Sequence, residues 1–190
     1  MKRAVTQFPV IEEIKKRWSP RAFDTKKSIT RDDINTILEA ASWAPSAMNE
    51  QPWRYVVALK EETEKFNAVV NCLFDANTLW AKNAAALVVS FAKLTYSSNG
   101  KTNSAALHDV GMANQNMLLQ AASMDIYTHV MGGFDKEKVK EVFKTEPDMQ
   151  PVVIIALGSL GNPEDLPEPL KVREIAARTR KNIEEIVLPE

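Results

Sequence analysis

Apolar positions along this chain recur with two periods, near 3.6 and near 2, and in places fuse into unbroken runs. Val10, Ile11 and Ile14 fall on one helical face, with Pro9 expected in the first turn, where its missing N–H is harmless. That helix runs into Arg17 and must stop before Pro20. Thr30 with Asp33 is a capping box that uses Asp for the usual Glu or Gln, and Ile34, Ile37, Leu38 and Ala41 mark the helix behind it, ending near Trp43. Residues 53–59 are aromatic and β-branched and predict a strand; 61–73 predict a helix, and 75–83 read as polar and irregular. The run 84–91 predicts a central strand buried on both faces. After a turn at Asn99-Gly100, Asn103 or Ser104 caps a long helix from Ala105 to about Met124, apolar on more than one side and so expected to be central. A short strand over 125–131 breaks at Gly132-Gly133, and Asp135 caps a short helix through Phe143. Pro151 opens a last strand over 152–157.

Strands and helices intermix without a regular βαβ repeat. This predicts an α+β domain over residues 1–190, a small mixed β-sheet flanked by helices. From Gly158 onward the character changes: Pro163, Pro167, Pro169 and alternating charges give no core-forming pattern before Ile183, Ile186 and Val187. A segment of that composition cannot bury itself alone, so 158–190 is expected to be either disordered or wrapped on another surface, such as a second copy of the chain.

Composition narrows the function. With 24 basic and 25 acidic residues the net charge is −1, which argues against a dedicated nucleic-acid binder. The single Cys72 excludes an intrachain disulfide and is too little thiolate for a zinc or iron–sulfur site. His108 and His129 have no neighbouring cysteine, and the Gly-x-Ser-x-Gly and Gly-x-Gly-x-x-Gly signatures are absent. No run approaches the ~20 apolar residues of a membrane span, so no membrane partner is expected, and a reduced compartment such as the cytoplasm is the expected location.

Three stretches carry candidate chemistry. Ala44 to Trp53 reads Ala-Pro-Ser-Ala-Met-Asn-Glu-Gln-Pro-Trp, a connection stiffened by two prolines that presents Ser46 and Asn49 as polar contacts. A well-capped helix exit with Trp53 in the core would use similar residues. Arg17, Ser19 and Arg21 point the same way if the chain is extended, so two guanidinium forks and a hydroxyl could face one anion; a basic helix end is the blander reading. Gly132-Gly133 between strand and helix allows a ligand close to backbone N–H groups, or serves as a simple turn.

Taken together, Arg-x-Ser-x-Arg-x-Phe (Arg17 to Phe23) and Ala-Pro-Ser-x-x-Asn-x-Gln-Pro-Trp resemble the signature of the nitroreductase family of FMN-dependent oxidoreductases. Gly133-Phe134-Asp135 after a strand resembles that family's flavin-contacting strand end. Arg178-Thr179-Arg180-Lys181 with Ile183 to Val187 resembles its C-terminal close, so the motifs run from about Ile11 to Val187. The resemblance implies a homodimer with one FMN at each subunit interface and a C-terminal arm, 158–190, crossing to the partner. Arg17, Trp18, Ser19 and Arg21 would bind the ribityl, phosphate and pyrimidine edge from one subunit, and Pro45, Ser46 and Asn49 would reach the ring from the other. Backbone groups of Met131, Gly132 and Gly133 would stand near the flavin N5, and Arg178 and Arg180 would close on the phosphate.

By the same resemblance, NAD(P)H would dock on the flavin, and a nitroaromatic, quinone or similar acceptor would follow it in a ping-pong cycle. The cofactor carries the chemistry, so no catalytic side chain is assigned. A flavin-binding carrier or regulator without general reductase activity is the alternative. Trp18 stands where relatives often have a second Arg or His, and 75–82 matches too loosely to name a flavin contact.

Overall fold

Unbroken apolar runs call for a sheet covered on both faces, and the computed structural model, which describes residues 2–188, has one. Strands β1 (Trp53–Leu59), β2 (Ala86–Lys93), β3 (Tyr127–Met131) and β4 (Met149–Gly158) lie in the order β1-β2-β4-β3. Side chains along β2 alternate between two cores: Ala86, Val88 and Ala92 pack on one face, Leu87, Val89 and Phe91 on the other. In β4, Ile155 and Leu157 oppose Ile154 and Ala156 in the same way. The first core is closed by α2 (Arg31–Ser42) and α5 (Ala106–Ser123), the second by α3 (Thr63–Val70), α4 (Asp75–Ala81) and α6 (Lys136–Phe143). The expected α+β architecture of sheet and flanking helices is therefore present.

The sheet is antiparallel throughout rather than mixed. β2 and β3 run in the same direction, but β4 inserts between them and opposes both. Pro151 does not open β4; it sits inside the strand opposite Phe91, where the register shifts and a missing N–H is tolerated.

Two other expectations are corrected, and that for the tail is narrowed. The first helix, α1 (Glu12–Lys16), is only five residues long with Ile11 at its N-cap, so Pro9 lies outside it. The preceding segment is extended and donates from Ala4 N to Lys15 O at 2.8 Å instead of continuing the helix. Residues 75–81 form the helix α4, missed because only Trp80 and Ala81 at its end are buried while Leu79 faces out, too short a periodicity to read. The tail is not without a place to pack on its own chain. Asp24 N donates to Ser159 O at 3.0 Å and Gly161 N to Ala22 O at 2.9 Å, Leu166 is buried, and α7 (Glu168–Ile175) follows. A Cβ on Gly161 would stand 2.6 Å from the Phe23 carbonyl carbon, which explains glycine at this close crossing. Beyond α7, Ile183, Ile186, Val187 and Leu188 remain exposed. Among the described residues no helix is long and apolar enough to cross a membrane.

The capping box of Thr30 and Asp33 forms as predicted, with reciprocal bonds of 3.1 and 2.9 Å. Asp135 likewise caps α6 by accepting the Lys138 N–H at 3.0 Å.

Candidate functional site

The two basic ends of the chain meet. Arg17, Arg178 and Arg180 line one cleft of about 570 Å³, together with Phe8, Gln115 and Asn182. Its walls come from the extended N-terminal segment, the C-cap of α1 and the chain beyond α7. Arg178 is fixed there by donating to the carbonyls of Lys2 and Lys15, at 3.1 and 2.8 Å. Arg17 donates to Ser19 Oγ at 3.4 Å, which brings that hydroxyl to the same group.

The electrostatics of this cleft are one-sided. Among the described residues none of Arg17, Arg178 and Arg180 has a carboxylate within ion-pair distance. Burial, then the Arg178 and Arg180 guanidinium groups, pushes the pKa of Arg17 downward; burial, then Arg180, does the same to Arg178. Three cations held together without an anion are suited to a multiply charged ligand, and planar guanidinium forks are suited to phosphate. The donor set therefore fits the phosphate of a flavin mononucleotide.

Arg21 and Trp18 do not line this cleft. Trp18 is buried, its indole N–H has no partner, and Lys2 Nζ sits 4.5 Å above the ring. The Arg21 backbone N–H is bound by Glu174 on α7. Its pKa is lowered by burial first, offset by the Glu174 carboxylate and lowered further by Arg173.

At the end of β3, Met131 is buried and paired with Ile154, whereas Gly132 is exposed and Gly133 half-buried. Among the described residues neither glycine N–H has a backbone acceptor. The Gly133 carbonyl, by contrast, accepts from Phe74 N at 3.2 Å and Asn77 Nδ2 at 3.0 Å. The turn's carbonyl is thus tied back to α4, while two adjacent N–H groups have no backbone acceptor among the described residues.

The loop carrying Pro45, Ser46 and Asn49 lies elsewhere. Asn49 lines a separate cleft with Glu39, Trp43 and Gln51, and this cleft shares no residue with the arginine cleft. Met48, Asn49 and Gln51 adopt positive φ of 54, 53 and 52°, so the proline-bounded connection holds three non-glycine residues in the left-handed region. Such strain persists only where surroundings enforce it. Here Ser46 Oγ accepts the Gln51 N–H at 3.0 Å and Asp109 accepts the Ala47 N–H at 2.9 Å. Within one chain the structure joins Arg17, Ser19, Arg178 and Arg180 and leaves the loop apart.

Asn77, Asp109 and Glu174 escaped the sequence reading, and His129 entered it only as a poor metal-ligand candidate. Each is a single polar residue whose partner lies far along the chain, and only Asp109, a charge inside the apolar pattern of the long helix, gave any signal.

A model of the nitroreductase family matches residues 14–159. The Bacillus subtilis (strain 168) protein YdgI, named provisionally as an NAD(P)H nitroreductase, is 28% identical, covering 78% of this chain and 87% of its own. The major NAD(P)H-flavin oxidoreductase of Aliivibrio fischeri is 23% identical, covering 73% and 81%. A solved oxidoreductase containing FMN superposes with a TM-score of 0.91 at 32% identity, over 97% of this chain and 93% of that one. The order of motifs, the antiparallel sheet between two helical layers and the match over 14–159 agree: the chain belongs to the nitroreductase family.

Proposed function

We propose that this chain is an FMN-dependent oxidoreductase that draws reducing equivalents from NAD(P)H and passes them to a nitroaromatic, quinone or similar small acceptor. The observation that carries the reading is the cluster of Arg17, Arg178 and Arg180 without a counter-charge, in a chain of this family. The names of the relatives, NAD(P)H nitroreductase and NAD(P)H-flavin oxidoreductase, support the same donor.

Bound FMN supplies the redox chemistry, accepting and returning a hydride, while the protein binds, orients and tunes it. Arg17, Arg178 and Arg180 hold the phosphate, with Ser19 beside them on the ribityl chain. Arg21 serves the pyrimidine edge, where a cation favours the negative charge of the reduced ring. The N–H groups of Gly132 and Gly133 face the reactive edge, with Met131 anchoring the strand beneath. Trp18 supports this segment from below.

The loop of Pro45, Ser46 and Asn49 reaches the ring of a second copy, which accounts for its distance from the arginines of its own chain. The active unit is a homodimer, and the arm reaches the partner with its apolar end, after Arg178 and Arg180 have been placed at the cleft of their own chain. Exposed Ile183, Ile186, Val187 and Leu188 give that arm an apolar face to bury there.

The test begins with purified protein reconstituted with FMN. Flavin absorbance retained through gel filtration is expected, followed by rapid bleaching on mixing with NADH or NADPH and recovery on adding a quinone or nitroaromatic. Protein that never retains flavin refutes the reading. Protein that retains flavin but is not bleached by either nicotinamide is a carrier instead.

A further inference from the structure

One peptide group, the bond joining Pro20 to Arg21, is gripped from both of its polar ends. Its carbonyl oxygen lies 2.9 Å from His129 Nδ1 on β3. A carbonyl only accepts, so Nδ1 carries the proton. Its N–H donates to both oxygens of Glu174 on α7, at 3.0 and 2.9 Å, and the next amide, Ala22 N–H, donates to Glu174 Oε1 at 3.1 Å.

Both side chains are held for this task. The His129 ring leans on the Trp80 indole of α4, centroids 4.4 Å apart. Glu174 is only 2% exposed, and a carboxylate so buried is costly without full hydrogen bonding. The two amides supply that bonding. Among the described residues no cation stands within ion-pair distance of its carboxylate: Lys2 Nζ donates to the Glu174 main-chain carbonyl instead, at 2.6 Å. The acid therefore takes the backbone of Arg21 and leaves the guanidinium free.

A tie that merely fastened the chain would be redundant. Ala22 and Asp24 are already bonded to Gly161 and Ser159 through the main chain. What His129 and Glu174 add is the orientation of the peptide planes on either side of the Arg21 Cα, held at the Pro20 carbonyl and at the Arg21 and Ala22 amides. We propose that His129 and Glu174 are positioning residues that lock the Pro20–Arg21 peptide and so aim Arg21 at the pyrimidine edge of FMN, an assignment that rests on the flavin reading above.

The experiment compares FMN and riboflavin binding, by quenching of flavin fluorescence, in the parent, His129→Phe, His129→Asn, Glu174→Ala and Arg180→Ala. His129→Phe and Glu174→Ala should weaken both flavins by the same factor, roughly tenfold or more, because the lost contact is to the ring and not to the phosphate. Arg180→Ala should weaken FMN alone. His129→Asn, which keeps an N–H donor for the Pro20 carbonyl, should restore parental affinity.

His129→Phe changes no charge near neutral pH, so a misplaced Arg21 should also make the bound flavin harder to reduce, lowering its potential. Parental affinity and potential in His129→Phe would overturn the clamp while leaving the flavin reading intact. So would a loss confined to FMN. Parent protein that binds neither flavin would overturn both. If Glu174→Ala fails to fold, the two His129 variants decide.

Discussion

The Ala47 N–H donates to Asp109 Oδ2 at 2.9 Å, tying the strained loop before β1 to the first turn of α5. Asp109 is 2% exposed on α5, and its other oxygen meets His108 Nδ1 at 3.2 Å. A carboxylate in this position sets the path of the loop, because Met48, Asn49 and Gln51 must be kept in the left-handed region against their preference. Asp109→Ala should cost about 1–3 kcal/mol in urea denaturation, since the amide loses its acceptor. Hydrogen exchange at the Ala47 amide should accelerate in step. Asp109→Asn keeps an acceptor oxygen and should lose less. An unchanged exchange rate in Asp109→Ala would show that the loop is held by its prolines alone.

His129 makes stability depend on pH. Burial first, then the Arg21 and Arg17 charges, pulls its pKa from the ordinary 6.5 down to about 4, against the opposing effect of the Pro20 and Ser19 carbonyls. The folded-state pKa lies below the unfolded one, so between these values the unfolded chain binds the extra proton. The contribution of His129 is therefore complete above pH 6.5 and is lost as pH falls toward 4, where it levels off. The ceiling is about 3 kcal/mol across that window. Carboxylates titrate in part of the same range, so the informative quantity is the difference between parent and His129→Asn. That difference should shrink steadily from pH 7 to pH 4; a flat difference would mean that the imidazole is not buried as a neutral donor.

Gly133 and Asn77 should prove energetically coupled. A Cβ added at Gly133 would stand 2.7 Å from Asn77 Nδ2, the same atom that donates to the Gly133 carbonyl. Gly133→Ala must therefore push the amide away or shift the strand end. Asn77→Ala loses the hydrogen bond without a clash. In a double-mutant cycle the combined variant should lose about 1–2 kcal/mol less than the sum of the single losses, because truncating Asn77 makes room for the methyl group. Simple additivity would mean that Asn77 moves aside freely and does not shape the turn.

These residues show where sequence reading reached its limit. The helix α2 was legible because its signal is local: a capping box at Thr30 and Asp33 followed by Ile34, Ile37 and Ala41 on one face. The strands β2 and β4 were legible as apolar runs, but their direction was not, since two-sided burial is compatible with parallel and antiparallel neighbours alike. That β4 inserts between β2 and β3 is a long-range fact with no local trace. In the candidate site, Arg17 and Arg178 were legible only through the family resemblance of their motifs, since residue type alone left a basic helix end open. Glu174 could not, because its meaning lies in an amide 153 residues away, and a Glu in a charged, proline-rich tail is unremarkable until its burial is seen. Which surface the tail wraps was illegible for the same reason: its anchors on its own chain are Leu166 and one carboxylate, not an apolar stripe.

The last test concerns what lies beyond those anchors. Ile186, Val187 and Leu188 are 68, 61 and 88% exposed, and nothing on their own chain covers them. The Asn182–Glu185 capping box, by contrast, is closed within the chain, with Asn182 N donating to Glu185 Oε1 at 2.8 Å. A truncation after Glu185 therefore spares Glu174, Arg178, Arg180 and the wall of the arginine cleft while removing the exposed apolar end. Full burial of one such side chain contributes about 1.5–3 kcal/mol, and a two-fold interface uses each of them twice. That is enough to decide association even after the cost of bringing two chains together. The truncated protein is expected to sediment as a monomer at concentrations where the parent is a dimer, with its arginine cleft intact but FMN retention weakened, since the second copy's loop of Pro45, Ser46 and Asn49 is lost. A truncated dimer would move the interface away from the arm. A parent monomer that retains FMN would refute the two-chain site and leave the loop with a role inside its own subunit.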